Sequence, residues 1–146
     1  MKFQYKLVRA IPEIIDAVRL RIKVFFEEQR VSPLEDIDKY DKGAYHFIAE
    51  YNKEIIGVCR ARILNKKAKI ERIAVDKNFR NKGAGAGLTK FAITFLKKRG
   101  IKNIYLHAQY YAKGFYEKSG FKVVGKPFIE QNTKHIKMVL KNENLH

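Results

Sequence analysis

The chain has 146 residues, 46% of them hydrophobic, which suits one compact domain whose core needs no covalent staple. No run approaches the roughly 18 apolar residues of a membrane span, the opening MKFQYKLVRAIPE has no signal-peptide core, and the single Cys59 cannot close a disulfide within the chain. A soluble cytoplasmic protein is therefore expected, and its 31 Lys and Arg against 15 Asp and Glu, a net charge of +16, favour an anionic partner.

In chain order, FQYKLV (3–8) alternates and reads as a first strand, and Pro12 fits a helix start. Ile14, Ile15, Val18, Ile22, Phe25 and Phe26 recur at helical spacing; VRLRIKVFF (18–26) also alternates with period two, and Pro12 and the overall length decide for helix. RVSPLEDIDKYDKGA (30–44) is a polar loop long enough to be functional. Glu27, Glu28, Glu35, Asp36, Asp38 and Asp41 crowd in and around it. YHFIAEY (45–51), EIIGVCRARIL (54–64) and KIERIAV (69–75), with turns at Asn52–Lys53 and near NKKA, make three antiparallel strands. Cys59, inside an apolar run, reads as a core residue. After DKNFRNKGAGAG (76–87), the residues Leu88, Phe91, Ala92, Phe95 and Leu96 form one helix face, closed by Gly100. KNIYLHA (102–108) then runs parallel to KIERIAV, because a helix connects them. YYAKGFYEKSG (110–120) is a short helix, and FKVVG (121–125) and KHIKMVL (134–140) complete an α+β sheet.

The segment RNKGAGAG (80–87) carries the chemistry. A strand, a glycine-rich turn and a helix in that order leave unpaired backbone N–H groups at the helix start, a binding place for phosphate. Gly83 and Gly85 lack the Cβ that would hold a pyrophosphate off the backbone, and Arg80 and Lys82 add charge. Between Asp76 and Glu117 there is no acidic residue at all. A flexible connector is the plainer meaning of a bare G-x-G, but the order of elements argues against it. No Lys-Ser or Lys-Thr follows, which excludes a P-loop, and Leu88 stands where a dinucleotide fingerprint needs its third glycine.

RNKGAG resembles the R/Q-x-x-G-x-G/A signature of the GNAT acyltransferase superfamily, and it lies where that family has it. FYEKSGF (115–121), with its helix tyrosine, is similar to the family's later motif, and LHAQ (106–109) precedes it at the expected distance. EEQ (27–29), the acidic loop, LHAQ and FIEQNTKHIKM (128–138) resemble the small bacterial ElaA-like and YjcF-like branch. Asn81 stands where many relatives carry Gly, and Gly87 is an extra glycine expected to loosen the first helical turn by up to ~1 kcal/mol. The resemblance covers nearly the whole chain and implies one domain over residues 1–146. It implies a mixed, mostly antiparallel sheet of six to seven strands, flanked by helices, with a central parallel pair.

The resemblance further implies an N-acetyltransferase that uses acetyl-CoA as donor, with direct attack by a primary amine in a ternary complex and with no metal. On that pattern the cofactor lies along Ile73, Ala74 and Val75 and on Arg80, Asn81, Lys82, Gly83, Ala84, Gly85 and Ala86, with Tyr116 beside it. The backbone groups of Ile73 and Val75 would hold the pantetheine and the thioester carbonyl. An alkyl ammonium must lose a proton before it attacks, so a base is needed. Glu71 is the first candidate, with His107, Glu130 and His135 in reserve. Glu71 has the alternative of pairing with a neighbouring Arg, and the histidines that of hydrogen bonding near the core. Tyr116 fits the acid that protonates the leaving thiolate, or else a core aromatic beside Phe115 and Phe121; Tyr110 and Tyr111 are weaker candidates. The acidic loop either attracts a cationic acceptor or is a solvated surface.

Two other classes stay open at this level. The charge alone suggests a nucleic-acid module, against which no recognition signature or tight basic tract is present. A cofactor cradle without an acceptor site would make a non-catalytic CoA sensor. An edge strand near the C-terminus suits a homodimer.

Overall fold

The computed structural model describes residues 2–28, 41 and 43–141. Seven strands form one sheet in the order β1-β2-β3-β4-β5-β7-β6. β1 (Gln4–Leu7) leads into α1 (Ile11–Ile22), and β2 (Tyr45–Tyr51), β3 (Glu54–Leu64) and β4 (Lys67–Val75) follow as antiparallel neighbours. α2 (Ala84–Lys98) crosses over to β5 (Asn103–Gln109), which lies parallel to β4. The short α3 (Lys113–Lys118) precedes β6 (Phe121–Glu130) and β7 (Thr133–Leu140), an antiparallel hairpin whose second strand inserts beside β5. The expected α+β sheet with a central parallel pair is what forms.

Three hairpin turns have the same cause. Asn52–Lys53, Asn65–Lys66 and Gln131–Asn132 all place two consecutive residues at positive φ, between +49° and +67°. Such turns match the right-handed twist of the strands that they join, and Asn tolerates the left-handed region well. The sequence reading of this strand, FKVVG, ends at Gly125, two residues before Pro127. Instead the strand continues to Glu130 through a register shift between Val124 and Phe128, a bulge that accommodates both residues.

The core has a layer on each face of the sheet. On one, Leu88, Ala92 and Leu96 of α2 are completely buried, and Phe47 meets Phe91 and Phe95 edge-on at 6.0 and 5.2 Å. On the other, Ala17 and Leu20 of α1 and the following Val24 pack with Val8, Ile48, Val58 and Ala74. The helix expected through Phe26 changes character at Ile22 and continues as a π-helix over Lys23–Glu28. The competing period-two pattern arose because Arg21, polar by type, is buried by its pairing with Asp41.

Candidate active site

The parallel pair β4–β5 is short. Its register runs Lys67↔Asn103, Ala68↔Ile104 and Lys69↔Tyr105, and no further. Beyond it β4 follows β3 to Val75↔Gly57, while β5 follows β7 to Gln109↔His135, so the strands part. A register shift between Val58 and Arg60 and a φ of +55° at Arg72 mark a bulge where β4 bends away. The free edge of β4 is thereby turned toward the gap. The N–H of Asp76 donates to Ile56 O on the β3 side at 2.8 Å, so both backbone groups of Val75 point the other way. The Val75 carbonyl accepts from Arg80 Nε at 2.9 Å, which leaves its N–H facing the gap.

The gap opens into a cavity of about 320 Å³, whose walls include Glu71, Ile73, His107, Tyr116, Glu130 and His135. Six residues singled out in the sequence thus converge on one space. Ala74 is buried on the α1 side, so only its backbone is available, and Tyr110 does not line the cavity, whereas the exposed Tyr111 does. Glu35, Asp36 and Asp38 lie outside the described residues, as does Gln29 of the EEQ motif.

At the far end of β4 the glycine segment begins. Asn81 has φ +60° and Gly83 φ +91°, two left-handed residues that turn the chain into α2, and this explains an Asn where a Gly would serve. The first helical bond runs from the Gly87 N–H to Gly83 O at 2.9 Å, and Gly83 supplies no side-chain cap. The N–H groups of Ala84, Gly85 and Ala86 therefore precede the helical ladder. Exposed Asn81 and Lys82 flank them, and a Cβ on Gly83 would meet open space.

The other two glycines also serve packing. A Cβ at Gly85 would stand 3.3 Å from Phe115 Cζ and 3.8 Å from Val75 Cγ2, so its missing side chain makes room for a ring. A Cβ at Gly87 would lie 1.9 Å from the Tyr5 hydroxyl, so this glycine fits β1 against α2. The same contacts join the helix start to the cavity: Phe115 and Val75 touch Gly85, while their neighbours Tyr116 and Ile73 line the cavity.

The titratable groups differ sharply in surroundings. Burial would raise the Glu71 carboxyl, but hydrogen bonds from Arg62, the Arg60 charge and hydrogen bond, and Lys69 together hold it below the usual carboxylate range. Arg62 Nε and Nη2 donate to it at 2.9 and 3.1 Å, Lys69 Nζ lies at 3.5 Å, and Arg60 Nη2 donates to Oε2. On the opposite strands, His107 Nδ1 lies 3.2 Å from Glu130 Oε1, and that bond is the main reason why the Glu130 carboxyl is lowered. A carboxylate only accepts, so Nδ1 carries the proton and a neutral His107 keeps its lone pair on Nε2. His135 Nδ1 donates to Thr133 O at 2.8 Å, which turns Nε2 toward Glu130 Oε2 at 3.8 Å. Tyr116 packs edge-on against Phe115 and Phe121, and burial pushes its phenol pKa well up, so the hydroxyl stays protonated. Burial likewise pushes the Cys59 thiol up, as befits a core residue.

Sequence reasoning missed the support behind Glu71. Asp41 takes Arg21 bidentately at 2.7 and 2.9 Å and Arg60 Nη1 at 2.9 Å, and Arg60 continues to Glu71. The Asp41 carbonyl accepts from His46 Nε2 at 2.9 Å. The one available signal was Arg60 within the apolar run EIIGVCRARIL; its partner Asp41 is distant in sequence and not recoverable from spacing.

Residues 14–142 match the family described as Acetyltransferase (GNAT) domain. The Bacillus subtilis strain 168 protein named N-acetyltransferase YjcF is 30% identical over 128 residues, 87% of this chain and 91% of that protein. Among solved structures, Escherichia coli ElaA superposes with a TM-score of 0.85 at 23% identity, covering 96% of this chain and all of the other. A GNAT acetyltransferase of Elizabethkingia anophelis, solved with acetyl-CoA bound, gives 0.71 at 23% identity over 95% and 97% of the two chains. These two share the fold.

Proposed function

The chain belongs to the GNAT acetyltransferase family, in a branch with YjcF and, by fold, ElaA, and from that premise we propose that it moves an acetyl group from acetyl-CoA to a primary amine. The observation that carries this reading is the uncapped start of α2 just beyond β4, the strand whose Ile73 lines the cavity. Orphan N–H groups at Ala84–Ala86 beside Arg80 and Lys82 suit a diphosphate, and the Val75 N–H suits an amide or a thioester oxygen further along. When bound, acetyl-CoA supplies an activated acetyl group whose leaving thiol has a pKa near 8.5.

The residues then divide the proton work. His107, oriented by Glu130 through Nδ1–H, offers Nε2 to the acceptor's ammonium, and Glu130 stabilises the imidazolium that results. Glu71 is a poor base among three cations; its part is to order Arg60, Arg62 and Lys69 at the cavity wall. Tyr116, with its pKa raised, stays protonated and donates a hydrogen bond to the departing thiolate, which leaves as the anion of a thiol with a pKa of about 8.5. The acceptor enters from the cavity side, opposite the cradle. A single domain and a reducing cytoplasmic setting fit the lone buried Cys59.

Thiol release with acetyl-CoA across a panel of amines tests the reading. His107→Asn should lower kcat by about 10²- to 10⁴-fold with little change in the acetyl-CoA KM. Glu130→Gln should lower kcat less, again with little change in the acetyl-CoA KM. Saturable acetyl-CoA binding without turnover on any amine would make the protein a sensor, and unchanged kcat in His107→Asn would remove the dyad.

A further inference from the structure

The charge excess is not used up by the active site, and part of it converges elsewhere. A groove of about 620 Å³ lies at the end of the sheet where β4 and β5 begin, and it shares no lining residue with the active-site cavity. Lys67 comes from β4, Lys122 from β6, Lys137 from β7, and Lys141 from just past β7, with Asn103 and Tyr105 of β5 between them. Among the described residues no carboxylate lines it. Four lysines around one concavity raise the positive potential there, which a bound anion relieves. The usual solution on a protein surface, interspersed acids, is applied a few residues away: Lys69, next but one along β4, has Glu71 at 3.5 Å.

We propose that this groove binds an oligophosphate, a small anion with two or more phosphate groups. Its size falls within the range of small-ligand sites. Lysines from three strands reach the groove from different sides, which suits the distributed charge of linked phosphates better than a single carboxylate. Asn103 offers an amide donor, and Tyr105, whose ring Lys137 Nζ overlies at 5.0 Å, supplies an apolar wall for whatever the phosphates are attached to. The position gives the site a structural consequence. The three residue pairs Lys67↔Asn103, Ala68↔Ile104 and Lys69↔Tyr105 are where the two halves of the sheet are joined, and an anion shared by Lys67 and the lysines of β6 and β7 spans that junction. The inference does not rest on acetyl transfer.

Calorimetric titration of the full chain with inorganic tripolyphosphate, with ATP and with a ten-nucleotide single-stranded RNA tests it. With the start of α2 saturated by CoA, the expected result is one further saturable tripolyphosphate site per chain, weakened about tenfold or more in Lys67→Gln/Lys137→Gln. It should be unmoved in Lys90→Gln/Lys97→Gln, which removes equal charge from the exposed side of α2. Amide resonances of Asn103 and Tyr105 should shift in ¹⁵N-labelled protein on addition of tripolyphosphate. Equal affinity for ATP and tripolyphosphate assigns the groove to the phosphates alone, and tighter ATP binding assigns it to a nucleotide. The proposal is overturned if both double variants weaken binding alike, if the groove variant changes nothing, or if only the RNA binds. Because CoA occupies the glycine segment throughout, loss of acetyl-CoA binding and loss of oligophosphate binding are read separately.

Discussion

Gly87 shows how one missing atom can decide a contact that residue type alone misrepresents. By propensity, Ala at this helix position gains up to about 1 kcal/mol over Gly. In the fold, that Cβ would occupy the place of the Tyr5 hydroxyl, 1.9 Å away, and crowd a ring that stacks on Phe91 at 6.2 Å. Forcing such an overlap typically costs about 1–3 kcal/mol. Gly87→Ala should therefore lower the urea midpoint despite its better helix propensity, and Tyr5→Ala in the same chain should recover part of the loss through a favourable coupling term. Additive losses in the double-mutant cycle would mean that the ring simply moves aside. Gly85 carries a parallel lesson, because its Cβ would meet Phe115, so a large substitution there tests packing and ligand binding at once.

At the scale of the element, the start of α2 allows a cleaner test. Ala86 is exposed in the first turn, and a carboxylate there sits well with the helix dipole, a gain of about 0.3–1 kcal/mol. The same carboxylate would repel a diphosphate and compete for the amides of Ala84–Ala86. Ala86→Asp should hold or raise thermal stability while acetyl-CoA affinity falls by tenfold or more, measured by titration; undiminished affinity would place the phosphates elsewhere. This strand-turn-helix unit was legible in the sequence because its signals are local: glycines, basic residues, then an apolar face of period 3.6. The turns at Asn52–Lys53 and Asn65–Lys66 were legible for the same reason. The parting of β4 from β5 was not, because a bulge at Arg72 and a register that ends at Lys69 depend on pairing between strands far apart in the chain. His107, Glu130 and His135 stood out one by one as candidates, but only the β5-β7-β6 order places both histidines beside one carboxylate.

Across the whole molecule, a chain of buried charges ties α1 to the sheet: Arg21 to Asp41, Asp41 to Arg60, Arg60 to Glu71, and Glu71 to Arg62. The side chains of Arg21 and Arg60 are only 3% and 2% exposed, so removing one partner strands a charge out of water, at a cost of about 3–5 kcal/mol. The pH dependence follows from the direction of the Glu71 shift. Its folded carboxyl is held below the unfolded value of about 4.3, so between the two the unfolded chain binds more protons. The stabilisation is complete above that unfolded value and is lost as pH falls through the depressed folded one, at up to about 1.4 kcal/mol per pH unit for one proton. Acid also raises a net charge that is already +16 and adds general repulsion, so a falling stability curve alone would not identify the group. Glu71→Gln separates the two contributions, because it keeps the repulsion and removes the proton-binding site. The variant should be less stable at pH 7 and show a shallower fall in urea midpoint from pH 5 to pH 3 than the parent chain, at matched ionic strength. Parallel curves would mean that Glu71 is protonated at the same pH folded and unfolded, and that the buried chain of charges orders the cavity wall without contributing to acid stability.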